Sequence, residues 1–118
     1  MKLTNSRILR GRCSKMIIIN VWRNKDGYIN QYRVDGHAEK DMVCAAVSAI
    51  TQTAVFGLNK VCKHKIRFES APGLLHVTLQ QAPDRMTQCV LRTMLEGLLE
   101  TQKQYRDAIY ISDGIAKG

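Results

Sequence analysis

The sequence predicts an α+β fold, a mixed sheet with two main helices packed on it in the order β-β-α-β-β-α-β. Three observations predict it. Short β-branched or alternating runs come in pairs split by turn residues, at 16–34 and 65–80. Two longer stretches, 41–62 and 84–104, carry apolar residues at spacings of three and four. No repeat, linker or low-complexity segment interrupts this order.

Each element follows from its local chemistry. Met16–Arg23 (MIIINVWR) is apolar and β-branched, hence a strand. Asn24-Lys25-Asp26-Gly27 is a turn of the Asp-Gly type. Tyr28–Val34 alternates and serves as the antiparallel partner, and Asp35–Lys40 is the loop that leaves it. The first helix is expected over Asp41–Cys62, with Asp41 as N-cap and Val43, Val47, Ile50, Ala54, Leu58 and Val61 as its core stripe. Strands Lys65–Ser70 and Leu74–Gln80 are joined by Ala71-Pro72-Gly73, where Pro-Gly suits a type II turn. Pro83 opens a second helix over Asp84–Gln104. Its expected buried face is Met86, Val90, Leu91, Met94, Leu95, Leu98 and Leu99. Ala108–Ser112 is a short last strand, and Asp113-Gly114 starts an unstructured tail.

At 118 residues the chain is expected to hold a single domain, residues 16–118, behind a basic leader at 1–15. The net charge of +8 overstates the basic character of that domain. Five of the 18 basic residues lie in the leader, so 13 basic residues face 10 acidic ones from Met16 onward. A nucleic-acid reading from charge alone thus loses most of its support, and direct nucleic-acid binding is not expected. The leader lacks the apolar core of a secretory signal, and no apolar run approaches the roughly 20 residues of a membrane span. Cys13, Cys44, Cys62 and Cys89 show no C-x-x-C spacing. Reduced thiols in a cytoplasmic protein are therefore expected, with no cofactor and no metal.

The chemistry concentrates in Gly36-His37-Ala38 and Asp41-Met42-Val43-Cys44-Ala45-Ala46-Val47-Ser48. With Asp41 as N-cap, Cys44 is the third helical residue, near unpaired amides and the positive end of the helix dipole. A helix N-terminus and a nearby imidazole both favour a thiolate, the reactive form of a thiol whose free pKa is about 8.5. His37, given freedom by Gly36, suits a general base that later protonates a leaving amine. Ser48 lies one helical turn beyond Cys44, and amides at the helix start suit an oxyanion hole. The reaction class is acyl transfer through an acyl-enzyme.

Blander readings stand beside this one. A lone cysteine in an alanine-rich helix is more often a small core residue, and a histidine after glycine is more often a polar loop residue. Ser48 then merely packs, and Asp41 merely caps. Cys62-Lys63-His64 offers too few ligands for a metal site. Cys89 reads as a core position of the second helix, and His76 as a satisfied sheet residue.

The residues quoted closely resemble the signature of the ribosomal-processing cysteine protease family Prp, whose pattern is Gly-His-Ala, a glycine-containing loop, then Asp-Ile/Leu-Val-Cys-Ala-Ala-Val-Ser. The similarity runs from Met16 to the last strand in order and length of elements. It implies a cytoplasmic bacterial enzyme, usually homodimeric, that cuts an N-terminal extension from a large-subunit ribosomal protein. It implies Cys44 as nucleophile, His37 as base, and Asp41, Ser48 and Gly36 as supporting positions. It also implies an apolar groove beside Cys44 for aromatic residues near the cut. One departure stands out. The family has about a dozen residues between His and Cys, whereas six, Ala38–Val43, stand here. A true deletion and an omitted mobile loop are the two explanations, and the second is expected. The alternative function is a non-catalytic ribosome- or RNA-associated module, with Trp22, Tyr28, Tyr32 and Phe68 as candidate base-stacking aromatics.

Overall fold

The computed structural model describes residues 15–115, and the expectations for the leader before Lys15 and for the end of the tail lie outside them. Its elements are β1 (Ile17–Arg23), β2 (Ile29–Gly36), α1 (Asp41–Phe56), a π-helical turn (Gly57–Val61), β3 (Ile66–Ala71), β4 (Leu74–Leu79), α2 (Arg85–Gln104) and β5 (Ile109–Ile115). The five strands form one sheet in the order β3-β4-β2-β1-β5. Hairpins make β1–β2 and β3–β4 antiparallel, and β4 joins β2 antiparallel across the two hairpins. β5 returns beside β1 in parallel, which makes the sheet mixed. This is the α+β fold and element order that the sequence predicts.

Alternation along the strands sends Ile17, Ile19, Val21, Leu75, Val77 and Ile109 to one face, where they meet Val43, Val47, Ala54 and Leu58 of the first helical segment and Leu91, Met94, Leu95 and Leu98 of α2. Tyr32, wholly buried, donates its hydroxyl to the Thr51 carbonyl at 2.9 Å and fastens β2 to α1. Burial pushes its phenol pKa well up. Asn30 is the extra residue of a β-bulge opposite Trp22/Arg23. Just before it, Gln88 of α2 takes both backbone groups of Ile29: Oε1 accepts the amide at 2.7 Å and Nε2 donates to the carbonyl at 2.8 Å. A buried side-chain amide thus stands in for missing ladder bonds.

Several boundaries differ from expectation. Lys40, not Asp41, is the N-cap of α1; its backbone is extended and no side chain caps the amides. Asp41 is the first helical residue, where its charge complements the positive helix end. The first helix does not run regularly to Cys62. It changes to π geometry at Gly57, with the Cys62 amide bonded to the Gly57 carbonyl. Gly57 approaches α2 so closely that a Cβ would sit 3.2 Å from Val90. Segment 41–61 does have the length and apolar composition of a membrane-crossing helix, contrary to the expectation from runs; its inner face packs on the sheet. Pro83 lies one residue before the N-cap of α2, which is Asp84 in a capping box with Thr87. Val61, Met86 and Cys89 are exposed, not core.

β5 also extends further than expected. Asp113 and Gly114 pair with Val21 and Trp22 instead of starting a tail. Asp113 accepts two hydrogen bonds from the Arg23 guanidinium, at 2.9 and 3.0 Å, and this pairing raises the arginine pKa.

Candidate active site

β2 ends at Gly36, where the backbone of Met16 on β1's side leaves no room for a side chain. Gly36 has φ +91°, and a Cβ there would lie 2.5 Å from the Met16 carbonyl oxygen. The chain turns at this glycine, exposes His37, buries Ala38, and enters α1 at Asp41. The connection is continuous: the Lys40 carbonyl accepts the Val43 amide at 3.1 Å and the Cys44 amide at 3.5 Å. The full chain carries six residues here, so the spacing is a true shortening, not an omitted loop. It is possible because Ala38 packs under the start of the helix, at 6% exposure.

Cys44 is the fourth helical residue, one later than expected, since the helix starts at Asp41. Its sulfur is half-buried and turned toward Ala38. The Ala38 amide donates to Sγ at 3.2 Å, and the thiol reaches the Ala38 carbonyl at 3.6 Å. A backbone N–H aimed at sulfur is the kind of partner that an anionic sulfur needs. No hydrogen bond joins His37 to Cys44 among the described residues.

Both residues nevertheless face one cavity of about 100 Å³. Cys44, Val47, Ser48, Thr51 and Gln52 form its helical wall, and Gly36 and His37 form its rim. Ser70, Ala71, Gly73 and Leu74, around the β3–β4 turn, close the other side. Ser48 is exposed one turn past Cys44, as helix spacing requires, and the sulfur's hydrogen-bond partner is Ala38 rather than its hydroxyl. Asp41 is exposed at the helix start and caps nothing. Among the described residues, the cavity at the sulfur is not the apolar groove that the resemblance implies. Polar and apolar groups mix there, whereas a larger apolar groove of about 680 Å³ runs between α1 and α2, past Ile50, Ala54, Gly57, Val90 and Met94.

Sequence reasoning gave no site role to Gly73 and none to the backbone of Ala38. Gly73 has φ +73°, as the Pro-Gly turn predicts, but its meeting with His37 depends on β4 lying beside β2. A Cβ on Gly73 would fall 2.7 Å from the His37 Nε2. Ala38 carried no chemical signal of its own.

The other two histidines are engaged elsewhere. His64 is buried, with Nε2 at 3.2 Å from the Gln81 carbonyl and Nδ1 at 4.0 Å from Asp84. His76 bonds Gln31 at 2.8 Å and its ring tilts against Trp22. Burial pushes the Cys62 thiol pKa up. Of the candidate stacking aromatics, Tyr32 is core, while Tyr28 and Phe68 are exposed.

The family of cysteine protease Prp matches residues 16–110. The ribosomal processing cysteine protease Prp of Staphylococcus aureus is 27% identical over 105 residues, covering 82% of this chain and 98% of that protein. Two solved structures share the fold. An essential ribosomal processing protease Prp from S. aureus, in complex with a covalently linked product peptide, aligns with a TM-score of 0.78 at 24% identity, over 83% of this chain and 99% of the other. A Streptococcus mutans protein aligns with a TM-score of 0.74 at 20% identity, over 91% of this chain and all of the other (100%).

Proposed function

The chain belongs to the cysteine protease Prp family, and from that membership we propose that it removes the N-terminal extension of a large-subunit ribosomal protein, with Cys44 as nucleophile and His37 as base and acid. The observation that carries the residue roles is the shared cavity: the helix contributes a sulfur to one wall and the β2–α1 loop an imidazole to the rim. The substrate follows from the relatives, whose name is ribosomal processing cysteine protease.

The chemistry is acyl transfer. The Cys44 sulfur attacks the scissile carbonyl carbon, and the electron pair of the C=O moves to oxygen. The His37 imidazole, having accepted the thiol proton, gives it to the departing amine as the C–N bond breaks. Water, deprotonated by the same imidazole, then cleaves the thioester and frees the sulfur. Gly36 supports the site by permitting the turn that presents His37. Asp41 places negative charge in the first helical turn, and Ser48 supplies a hydroxyl on the cavity wall.

We further propose a cytoplasmic homodimer. Both follow from the family resemblance, and the apolar groove between α1 and α2 is the surface that a second copy would cover. The decisive experiment incubates the Cys44→Ala variant with the N-terminally extended ribosomal protein. Loss of cleavage with an unchanged circular dichroism spectrum is expected, and full cleavage overturns the mechanism.

A further inference from the structure

We propose that Gly73, in the β3–β4 turn, is a positioning residue that sets where the His37 imidazole rests. This builds on the assignment of His37 as the proton-transfer group. An added Cβ at Gly73 would lie 2.7 Å from Nε2, 3.3 Å from Cδ2 and 3.4 Å from Cε1 of His37. The Nε2 edge of the ring therefore lies against the bare Cα of the glycine. The neighbouring backbone is tied as well, since the Gly36 amide donates to the Gly73 carbonyl at 2.9 Å. The residue before the histidine and the residue under its ring are thus bonded to each other.

His37 is exposed, so few other contacts hold its ring. A side chain at position 73 meets the mobile end of that ring, not backbone. The ring yields before the fold does. The glycine thereby defines the approach of the imidazole to the cavity wall that carries Cys44. Gly73 also has φ +73°, so any replacement combines backbone strain with displacement of the ring. Gly27 separates the two effects. It has φ +88° and nothing within 4 Å of an added Cβ, so substitution there brings strain alone.

The test compares Gly73→Asn with Gly27→Asn, because asparagine tolerates the left-handed region. Gly73→Ala and Gly27→Ala form a second pair. The substrate is a peptide spanning the junction between the extension and the mature ribosomal protein. Gly73→Asn is expected to lower kcat at least about tenfold, to change KM by less than about twofold, and to move the limb of the pH–rate profile that His37→Ala removes. Its melting temperature is expected to match that of Gly27→Asn, which keeps wild-type kinetics. Wild-type kcat and pH profile in Gly73→Asn overturn the proposal. So does a loss of kcat that only follows the loss of folded protein with an unchanged pH profile. Full cleavage by Cys44→Ala, a result that does not involve the turn, overturns the catalytic assignment and this proposal together.

Discussion

The amide of Ala38 lies 3.2 Å from the sulfur of Cys44, and the carbonyl of the same residue lies 3.6 Å from it. The residue that follows His37 therefore holds the sulfur with both of its backbone groups. One group suits a charged sulfur and the other suits a thiol. The shortened connection makes this contact possible, and it couples the placement of imidazole and sulfur through a single buried alanine.

Removing either proposed reacting group separates chemistry from stability. Cys44→Ala is expected to abolish cleavage, and His37→Ala to lower kcat by about a hundredfold or more. Cys44 is only half-buried, so the alanine variant is expected to unfold in urea within about 1 kcal/mol of wild type. A stable, fully active Cys44→Ala protein contradicts the assignment.

Alkylation distinguishes the thiols. Cys44 opens onto a cavity and faces an amide donor, while burial raises the Cys62 pKa. Iodoacetamide at pH 7 is expected to label Cys44 ahead of Cys62 and Cys89, as mapped by peptide mass spectrometry. Equal rates at all three argue against an activated sulfur.

Gln88 is expected to matter to stability far more than a typical polar residue. Gln88→Leu keeps the volume but leaves the Ile29 amide and carbonyl without their partner. A loss of about 2–6 kcal/mol is expected, from two buried groups at about 1–3 kcal/mol each. Urea denaturation measures it, and a loss below about 1 kcal/mol shows that water replaces the glutamine.

Asp84 gives a pH-dependent signature. The Thr87 amide donates to its carboxylate at 2.8 Å, and that bond holds the carboxyl pKa below its ordinary value of 3.8. The charged cap therefore stabilises the fold above that value, and its contribution is lost as pH falls through the lower native value. Asn caps without titrating, so wild type is expected to lose stability relative to Asp84→Asn as pH drops below about 4. Parallel urea midpoints at pH 7 and 2.5 contradict a charge-linked cap.

Much of the fold was legible because the signals are local. Alternation in Tyr28–Val34, Asp26-Gly27 and Pro72-Gly73 mark the hairpins without reference to the rest of the chain. What escaped depends on tertiary contacts. Asp41 has the side chain of an N-cap, yet Lys40 takes the position and its carbonyl accepts the first helical bonds. Asp113-Gly114 reads as a breaker, but a neighbouring strand and the Arg23 pair keep it extended. At the site, His37 and Cys44 carry side chains whose chemistry announces them. Ala38 and Gly73 act through an amide and through a missing Cβ, which no side-chain pattern records.

The parallel pairing of Ile17–Arg23 with Ile109–Ile115 has a consequence for biosynthesis. While the chain is being translated, β1 emerges early and waits for nearly the whole domain before its second neighbour arrives. Until then the edge bearing Ile17, Ile19 and Val21 stays open to pairing with other strands. The vulnerable period of this molecule is thus its time as a nascent chain, and cellular holdases that shield extended apolar segments are the natural protection for it.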